Sequence, residues 1–111
     1  MKLTLIQDEI DAGSRDRTRG QKRFATCPMA LMFTRAVGEP CGVGAFSVWR
    51  DSNSLLFIEL PPKMQTAVGR FDTGCQLVPQ TFDFPDESWA QLIGGDILAH
   101  DEIKRQKELY L

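Results

Sequence analysis

The stretch that decides the fold is Pro28-Met29-Ala30-Leu31-Met32-Phe33-Thr34-Arg35-Ala36-Val37. Its apolar side chains form a nearly continuous surface that Arg35 interrupts, which is the pattern of a helix buried on most sides. Thr26 is a candidate N-cap, and Pro28 suits the first turn because its missing N–H would have no helical partner there. Gly38 is a typical stop. We therefore predict that residues 28–37 form the best-buried helix of the chain.

The residues that follow have the pattern of a β-hairpin and a second helix. Apolar residues dominate 43–60 on both sides of a turn at 51–54, as expected for two paired strands. Pro61-Pro62 then precede apolar residues at helical spacing, and Gly74 ends that pattern. A central hairpin and a helix over 62–73 are therefore predicted.

Shorter elements are expected towards the two ends of the chain. The pattern predicts a strand over Lys2–Ile6, a brief helix over 7–13 ended by Gly13, an extended segment over 76–84 bent or placed at an edge by Pro79, a short helix from Asp86 to Ile93, and an amphipathic helix over 96–111. This order indicates the α+β class, with a small antiparallel sheet (hairpin about 43–60 plus edge strands) packed against helices about 28–37 and 62–73. Residues 1–95 are predicted to be one domain, and 96–111 to pack on that domain or on a partner.

Composition excludes several classes of protein. The chain has 111 residues, of which 42% are hydrophobic and 25% charged, and its formal net charge is -2. These values fit one globular domain and disfavour both a generally basic nucleic-acid binder and a carboxylate-covered DNA mimic. No apolar run approaches the ~18 residues of a membrane span, and three widely spaced cysteines are a poor disulfide framework. We expect a reduced, cytoplasmic protein.

One segment differs from the rest in charge. Residues 14–23 contain no hydrophobic side chain and are predicted to be an exposed loop with Asp16 as its only acid, and its bases are Arg15, Arg17, Arg19, Lys22 and Arg23. The loop therefore contributes +4 (five bases less one acid), which leaves -6 for the remainder of the chain. Arginine binds phosphates and carboxylates through its forked donors, so the loop is a candidate for contact with nucleic acid or an acidic protein surface. A solvated loop that keeps the protein soluble explains it equally well.

Metal and thiol chemistry are weakly indicated. Cys27, Cys41, Cys75 and His100 would complete a tetrahedral zinc site, yet no two lie two to four residues apart, as zinc ligands usually do. Cys27 precedes a helix, where the dipole favours a thiolate, but a nucleophilic cysteine also needs a base, and His100 is the only candidate. We expect small, mostly buried cysteines, no metal and no cofactor.

Other features also have structural explanations. Gly42-Val43-Gly44 lacks the remainder of a phosphate-binding loop and is expected to ease a tight turn into the hairpin. The acidic clusters at 8–11 and 83–87 are explained by helix capping as well as by acid–base chemistry. Trp49 and Trp89 are each candidates for an interface anchor or for core packing. No motif supports an enzyme.

Several short motifs together resemble a known group. They are Cys27-Pro28-Met29-Ala30-Leu31, Leu60-Pro61-Pro62, Phe71-Asp72-Thr73-Gly74, Val78-Pro79 and Phe82-Asp83-Phe84. This layout resembles small uncharacterised bacteriophage and prophage proteins that share "CPxALA … LPP … FDxG … VxPxxFxF", over approximately the first 85 positions. The group has no settled biochemical role, so the resemblance assigns no residue a function. It implies an origin in mobile-element genomes, where small proteins without a site motif often bind host proteins, including defence systems.

These features predict a non-enzymatic phage accessory protein that binds a host macromolecule in the host cytoplasm, as a monomer or homodimer. Inhibition of a host defence system such as a CRISPR complex (anti-CRISPR) is the most concrete version, with a host protein or ribonucleoprotein complex as partner. The alternative is a small nucleic-acid-binding module that uses the arginine-rich loop 15–23.

Overall fold

A computed structural model describes residues 1–15 and 23–94 of the chain. The fold is α+β, as predicted. Its elements, in chain order, are β1 (Lys2–Leu5), α1 (Gln7–Arg15), α2 (Arg23–Thr26), α3 (Pro28–Val37), β2 (Cys41–Val43), β3 (Ser47–Arg50), β4 (Asn53–Glu59), α4 (Pro62–Asp72), β5 (Gln80–Asp83) and α5 (Asp86–Gly94).

Helix α3 is the centre of the core and has the predicted bounds. Met29, Ala30, Met32 and Phe33 are almost fully buried, and the Phe33 ring contacts that of Phe84 edge-on at 5.3 Å between centroids. The N-cap is Cys27 rather than the predicted Thr26, because the Cys27 Sγ accepts a hydrogen bond from the Ala30 N–H at 3.4 Å. At the other end Gly38 adopts a left-handed φ of 88°, and its N–H closes the last turn on the Thr34 carbonyl.

Helix α1 runs through Gly13, so the prediction that this glycine ends the helix is wrong. Helices α1 and α3 are in contact, and a Cβ at position 13 would lie 2.4 Å from the Pro28 Cδ. The glycine therefore allows the two helices to approach closely. Across the same contact, Arg35 binds the carboxylate of the buried Glu9 through two nitrogens, at 3.1 and 3.2 Å, which accommodates the one charged residue of α3.

The strands form two sheets, whereas the sequence predicted edge strands added to one. Strands β1 and β5 pair antiparallel with each other, and β2, β3 and β4 form a separate antiparallel sheet in that order. Helix α3 contacts both β1 and β2, and Arg35 donates a hydrogen bond to the Thr4 carbonyl of β1. The helix therefore contacts one strand of each sheet and lies between them in the core.

The remaining predicted elements are present with altered bounds. The hairpin turn is only Asp51-Ser52, β2 begins before residue 43, and the extended segment 76–84 is a strand only over Gln80–Asp83. The predicted helix over 62–73 is α4, with Thr73 as its C-cap, and the short helix from Asp86 is α5.

Most of the predicted basic loop and all of the predicted C-terminal helix lie outside the described residues. Ser14 and Arg15 belong to α1, and Arg23 begins α2, so the prediction that these three residues lie in a loop is wrong. Residues 16–22 and the predicted helix 96–111 lie outside the described residues. Within 1–15 and 23–94, no helix combines the length and the apolar character needed to cross a membrane.

We expect Gly13→Ala and Gly69→Ala to have opposite effects on stability. The first adds a methyl group against Pro28 and should lower the free energy of unfolding by roughly 1–3 kcal/mol through overpacking. The second adds it in open space on α4 and should raise that free energy by about 0.5–1 kcal/mol. Urea denaturation of both variants measures the difference, and equal effects would contradict the close α1–α3 contact.

Candidate functional site

The three-stranded sheet has an inner face against the core and an outer face directed away from it. Along β3 and β4, Val48, Arg50 and Ile58 are buried on the inner side. The alternate residues lie on the opposite side, because successive side chains of a strand point to opposite faces. We call this surface the outer face, and its residues are Ser47, Trp49, Leu55, Phe57 and Glu59, with Gly42 of β2 paired beside Trp49. The β3–β4 register shifts between Val48 and Arg50, so Leu55 is assigned to this face by its exposure and by its alternation with Leu56, which packs against the core.

The outer face is apolar although it is exposed. Leu55 is 92% and Phe57 58% exposed, and Phe46, in the turn before β3, is 69% exposed. Sheets with one face in water normally carry polar residues there. The two-stranded sheet follows that rule, since its exposed pairs are Lys2 with Asp83 and Thr4 with Thr81, each 3.0 Å apart. The outer face therefore departs from a pattern that this same chain observes elsewhere.

The Trp49 indole fits against the neighbouring strand because Gly42, its partner there, has no side chain. Gly42 pairs with Trp49, and a Cβ on Gly42 would lie 2.4–2.6 Å from three indole atoms. The indole therefore lies directly over the β2 backbone, and the Phe57 ring meets it edge-on at 5.2 Å between centroids. The expectation that these glycines ease a tight turn is wrong for Gly42, which lies within β2 and makes room for Trp49.

An ion pair between the buried Arg50 and the half-buried Glu39 lies on the inner side of the hairpin. Arg50 is only 6% exposed, and its Nη1 lies 3.4 Å from the Glu39 Oε1. The same oxygen accepts a hydrogen bond from the Ser52 Oγ at 2.5 Å. Glu39 follows α3 directly, so this pair fixes the hairpin, and with it the outer face, relative to the central helix.

The thiols do not form a reactive site among the described residues. Cys27 and Cys41 are buried, whereas Cys75 is exposed, so the expectation of burial is wrong for Cys75. Burial raises the pKa of the Cys27 thiol despite hydrogen bonds from the α3 terminus, and it raises the pKa of Cys41 to about 11. In residues 1–15 and 23–94, no three His, Cys, Asp or Glu side chains are grouped so as to hold a metal ion. His100 lies outside those ranges.

The acidic clusters are distributed among structural contacts. Glu9 binds Arg35, and Asp11 accepts a hydrogen bond from the Gln7 amide at 2.8 Å. Asp83 binds Lys2, whose hydrogen bond and charge lower the pKa of that carboxyl, and Asp86 binds the terminal ammonium of Met1 at 2.5 Å. Each of these four carboxylates therefore has a structural partner.

The predicted basic residues are only partly placed. Arg15 is the last residue of α1 and Arg23 the first of α2, while Arg17, Arg19 and Lys22 lie outside the described residues. Helix α2 contacts β2, an edge strand of the three-stranded sheet. The C-terminal end of the basic segment therefore meets the fold beside this sheet.

Sequence reasoning considered Trp49 and missed Leu55 and Phe57. The available signal was the unbroken apolar run Leu55-Leu56-Phe57-Ile58, which makes both faces of β4 apolar instead of one. Trp89, the other candidate anchor, is half-buried and packs against the core.

Comparisons of the chain with protein-family models, with curated protein sequences and with solved structures find no match. The outer face is thus the feature from which a function has to be inferred.

We expect Gly42→Ala to displace the indole of Trp49 and Gly44→Ala to leave it in place. A Cβ at position 44 would lie 3.5 Å from the nearest indole atom, which is an ordinary contact. Gly42→Ala should lower the free energy of unfolding by roughly 1–3 kcal/mol and shift the tryptophan emission, since an overpacked side chain must move. Equal tryptophan emission spectra and equal free energies of unfolding for the two variants would contradict the position of the Trp49 indole over Gly42.

We expect one thiol per native chain to react rapidly with a soluble thiol reagent at pH 8. Cys75 is exposed, whereas Cys27 and Cys41 are buried with raised pKa values, so thiolate is scarce at both. All three should react in denaturant. Mass spectrometry of labelled peptides identifies the site, and rapid native labelling of Cys27 would contradict its structural role.

Proposed function

We propose that this chain is a non-enzymatic accessory protein that binds another protein through the outer face. The observation that carries the proposal is the contrast between the exposed Leu55 and Phe57 of one sheet, with the half-buried Trp49 packed against Phe57, and the polar pairs of the other sheet. Exposed apolar patches mark interaction sites, and aromatic side chains supply much of the binding energy at protein interfaces.

Charge favours a protein over a nucleic acid as the ligand of this face. Asp51 lies at the turn end of the hairpin and Glu59 at the other end, and both are exposed. A nucleic-acid backbone laid along the hairpin would bring phosphates towards both carboxylates, which repel them. The most exposed residue of the face, Leu55, is aliphatic and offers no surface for base stacking.

A nucleic-acid-binding module remains the second candidate function, and one observation supports it. Exposed aromatic residues on a sheet face are used by several folds to stack unpaired bases. Helix α2, which begins at Arg23, contacts β2, the strand that pairs with β3. The basic residues between positions 15 and 23 would supply phosphate contacts in this function.

The phage-like motif layout suggests that the partner belongs to the host. We propose a host protein or ribonucleoprotein complex in the cytoplasm, with a defence complex of the CRISPR type as the most concrete candidate. Small size, the lack of a site motif and an apolar docking face are all compatible with inhibition by occlusion of a partner surface.

An interference assay tests this function. The chain is expressed in bacteria whose CRISPR system targets an infecting phage, with one strain for each of several CRISPR types. We expect the wild-type chain to restore plaque formation in at least one strain. The double variant Leu55→Ser/Phe57→Ser should lose most of this effect, because it removes the exposed apolar groups of the face.

The matched control is Val78→Ser, which changes another exposed apolar residue (62% exposed) that lies outside the three-stranded sheet. It should retain the wild-type effect, and urea denaturation shows that all variants fold. Full activity of the double variant would contradict docking through the outer face. No effect of the wild type in any strain would contradict the CRISPR version. Binding of a single-stranded oligonucleotide that Phe57→Ser abolishes would favour the second candidate.

A further inference from the structure

We propose that the partner segment bound by the outer face is a basic amphipathic helix, with an apolar stripe on Trp49, Leu55 and Phe57 and a cation near each end. The inference rests on the proposed function, because it names the chemistry of the partner at that same face. It makes no assumption about which host protein carries the helix.

The shape of the face favours a helix over an extended strand. A face presents side chains, whereas strand addition needs the unpaired backbone groups of a sheet edge. From Asn53 to Glu59, β4 covers about 20 Å at about 3.3 Å per residue. A helix of about 13 residues has the same length. The sheet already has a helix on its other side, since α3 contacts β2, so a helix on the outer face would complete a three-layer arrangement.

The charges at the two ends of the face favour a basic partner. Neither Asp51 nor Glu59 forms an ion pair with any other side chain that the structure describes. Glu39, on the inner side of the hairpin, is in contrast paired with Arg50. Glu59 lies at one end of the apolar strip, and Asp51 lies in the turn beyond its other end. This arrangement is complementary to an apolar stripe with Lys or Arg at each end.

The same two carboxylates disfavour a second copy of this chain. In a twofold dimer formed by two outer faces, the hairpins lie along each other, so each end of one hairpin faces an end of the other. Whether the two hairpins run in the same or in opposite directions, each of these carboxylates in one copy would then face the carboxylate of Asp51 or Glu59 in the other copy. Like charges opposed across an interface destabilise it, and this face places no cation between them.

Binding of two synthetic 14-residue peptides tests the inference, with the full-length chain in calorimetry. The peptides share one helical stripe of Leu, and the other positions are Lys and Gln in one peptide and Glu and Gln in the other. We expect the Lys peptide to bind at least about tenfold more tightly at low salt, since two exposed attractive contacts replace two repulsive ones. Raising the salt concentration should reduce the difference.

Three variants assign the contacts. Asp51→Asn/Glu59→Gln should bring the two peptides to within about twofold of each other, because both carboxylates are removed while the apolar strip is kept. Leu55→Ser/Phe57→Ser should weaken binding of both peptides at least about tenfold. Val78→Ser should change neither affinity.

Other outcomes overturn the inference. Equal affinities of the wild type for the two peptides, or no binding of either, would show that a basic helix is not the preferred ligand. A concentration-dependent dimer that Leu55→Ser/Phe57→Ser abolishes would assign the face to a second copy.

The proposed function fails separately from this inference. If Leu55→Ser/Phe57→Ser loses the effect on plaque formation while the Lys and Glu peptides bind alike, the docking face stands and the proposed chemistry of the partner is wrong. If the peptides behave as expected but the wild-type chain restores plaque formation in no strain, the basic-helix site stands and the defence role is wrong.

Discussion

The constraint on which the structure depends is that helix α3 must be enclosed on nearly all sides. Its residues Met29, Ala30, Met32 and Phe33 have almost no exposed surface, and α1, α2, β1 and β2 all contact the helix. Burial of a methionine or phenylalanine side chain stabilises a fold by about 1.5–3 kcal/mol relative to exposure. The two sheets lie apart because each supplies a strand beside this helix, and Arg35, the charged residue of α3, is held by Glu9.

The core around α3 uses only the inner side of the hairpin. The outer side is therefore available for a function. Val48 and Ile58 complete the core, so the outer face is not needed to build it. Nevertheless the outer face carries Trp49, Leu55 and Phe57, and Gly42 leaves room for the indole of Trp49 because it has no side chain. A side chain seated in this way loses less conformational entropy when a partner covers it, which favours binding.

The sequence was sufficient for the elements with strong local signals. Helix α3 begins at Pro28 and ends before Gly38, as predicted, because a proline in the first turn and a left-handed glycine after the last turn are properties of the local backbone. The role of Gly13 was not predictable in the same way, since it depends on Pro28, which approaches from a helix fifteen residues later in the chain. The division into two sheets likewise follows from where α3 lies, and no local pattern specifies that position.

The site was harder to predict than the fold, for a similar reason. Strand alternation assigns Leu55 and Phe57 to one face only after the register with β3 is known, and the seat of Trp49 requires the pairing of Gly42 with it. The five basic residues were predicted as a binding segment because they lie close together in sequence. The residues of the outer face, in contrast, come from three strands. Proximity along the chain is thus a poor guide to this surface.

Mapping of amide chemical shifts tests the central claim most directly. The full-length chain is labelled with ¹⁵N and titrated with the 14-residue Lys peptide. We predict that the shift changes concentrate on Ser47–Arg50 and Asn53–Glu59, with little change in Lys2–Leu5 and Gln80–Asp83. Changes concentrated on the two-stranded sheet, or on residues 15–23, would contradict the assignment of the outer face as the docking surface.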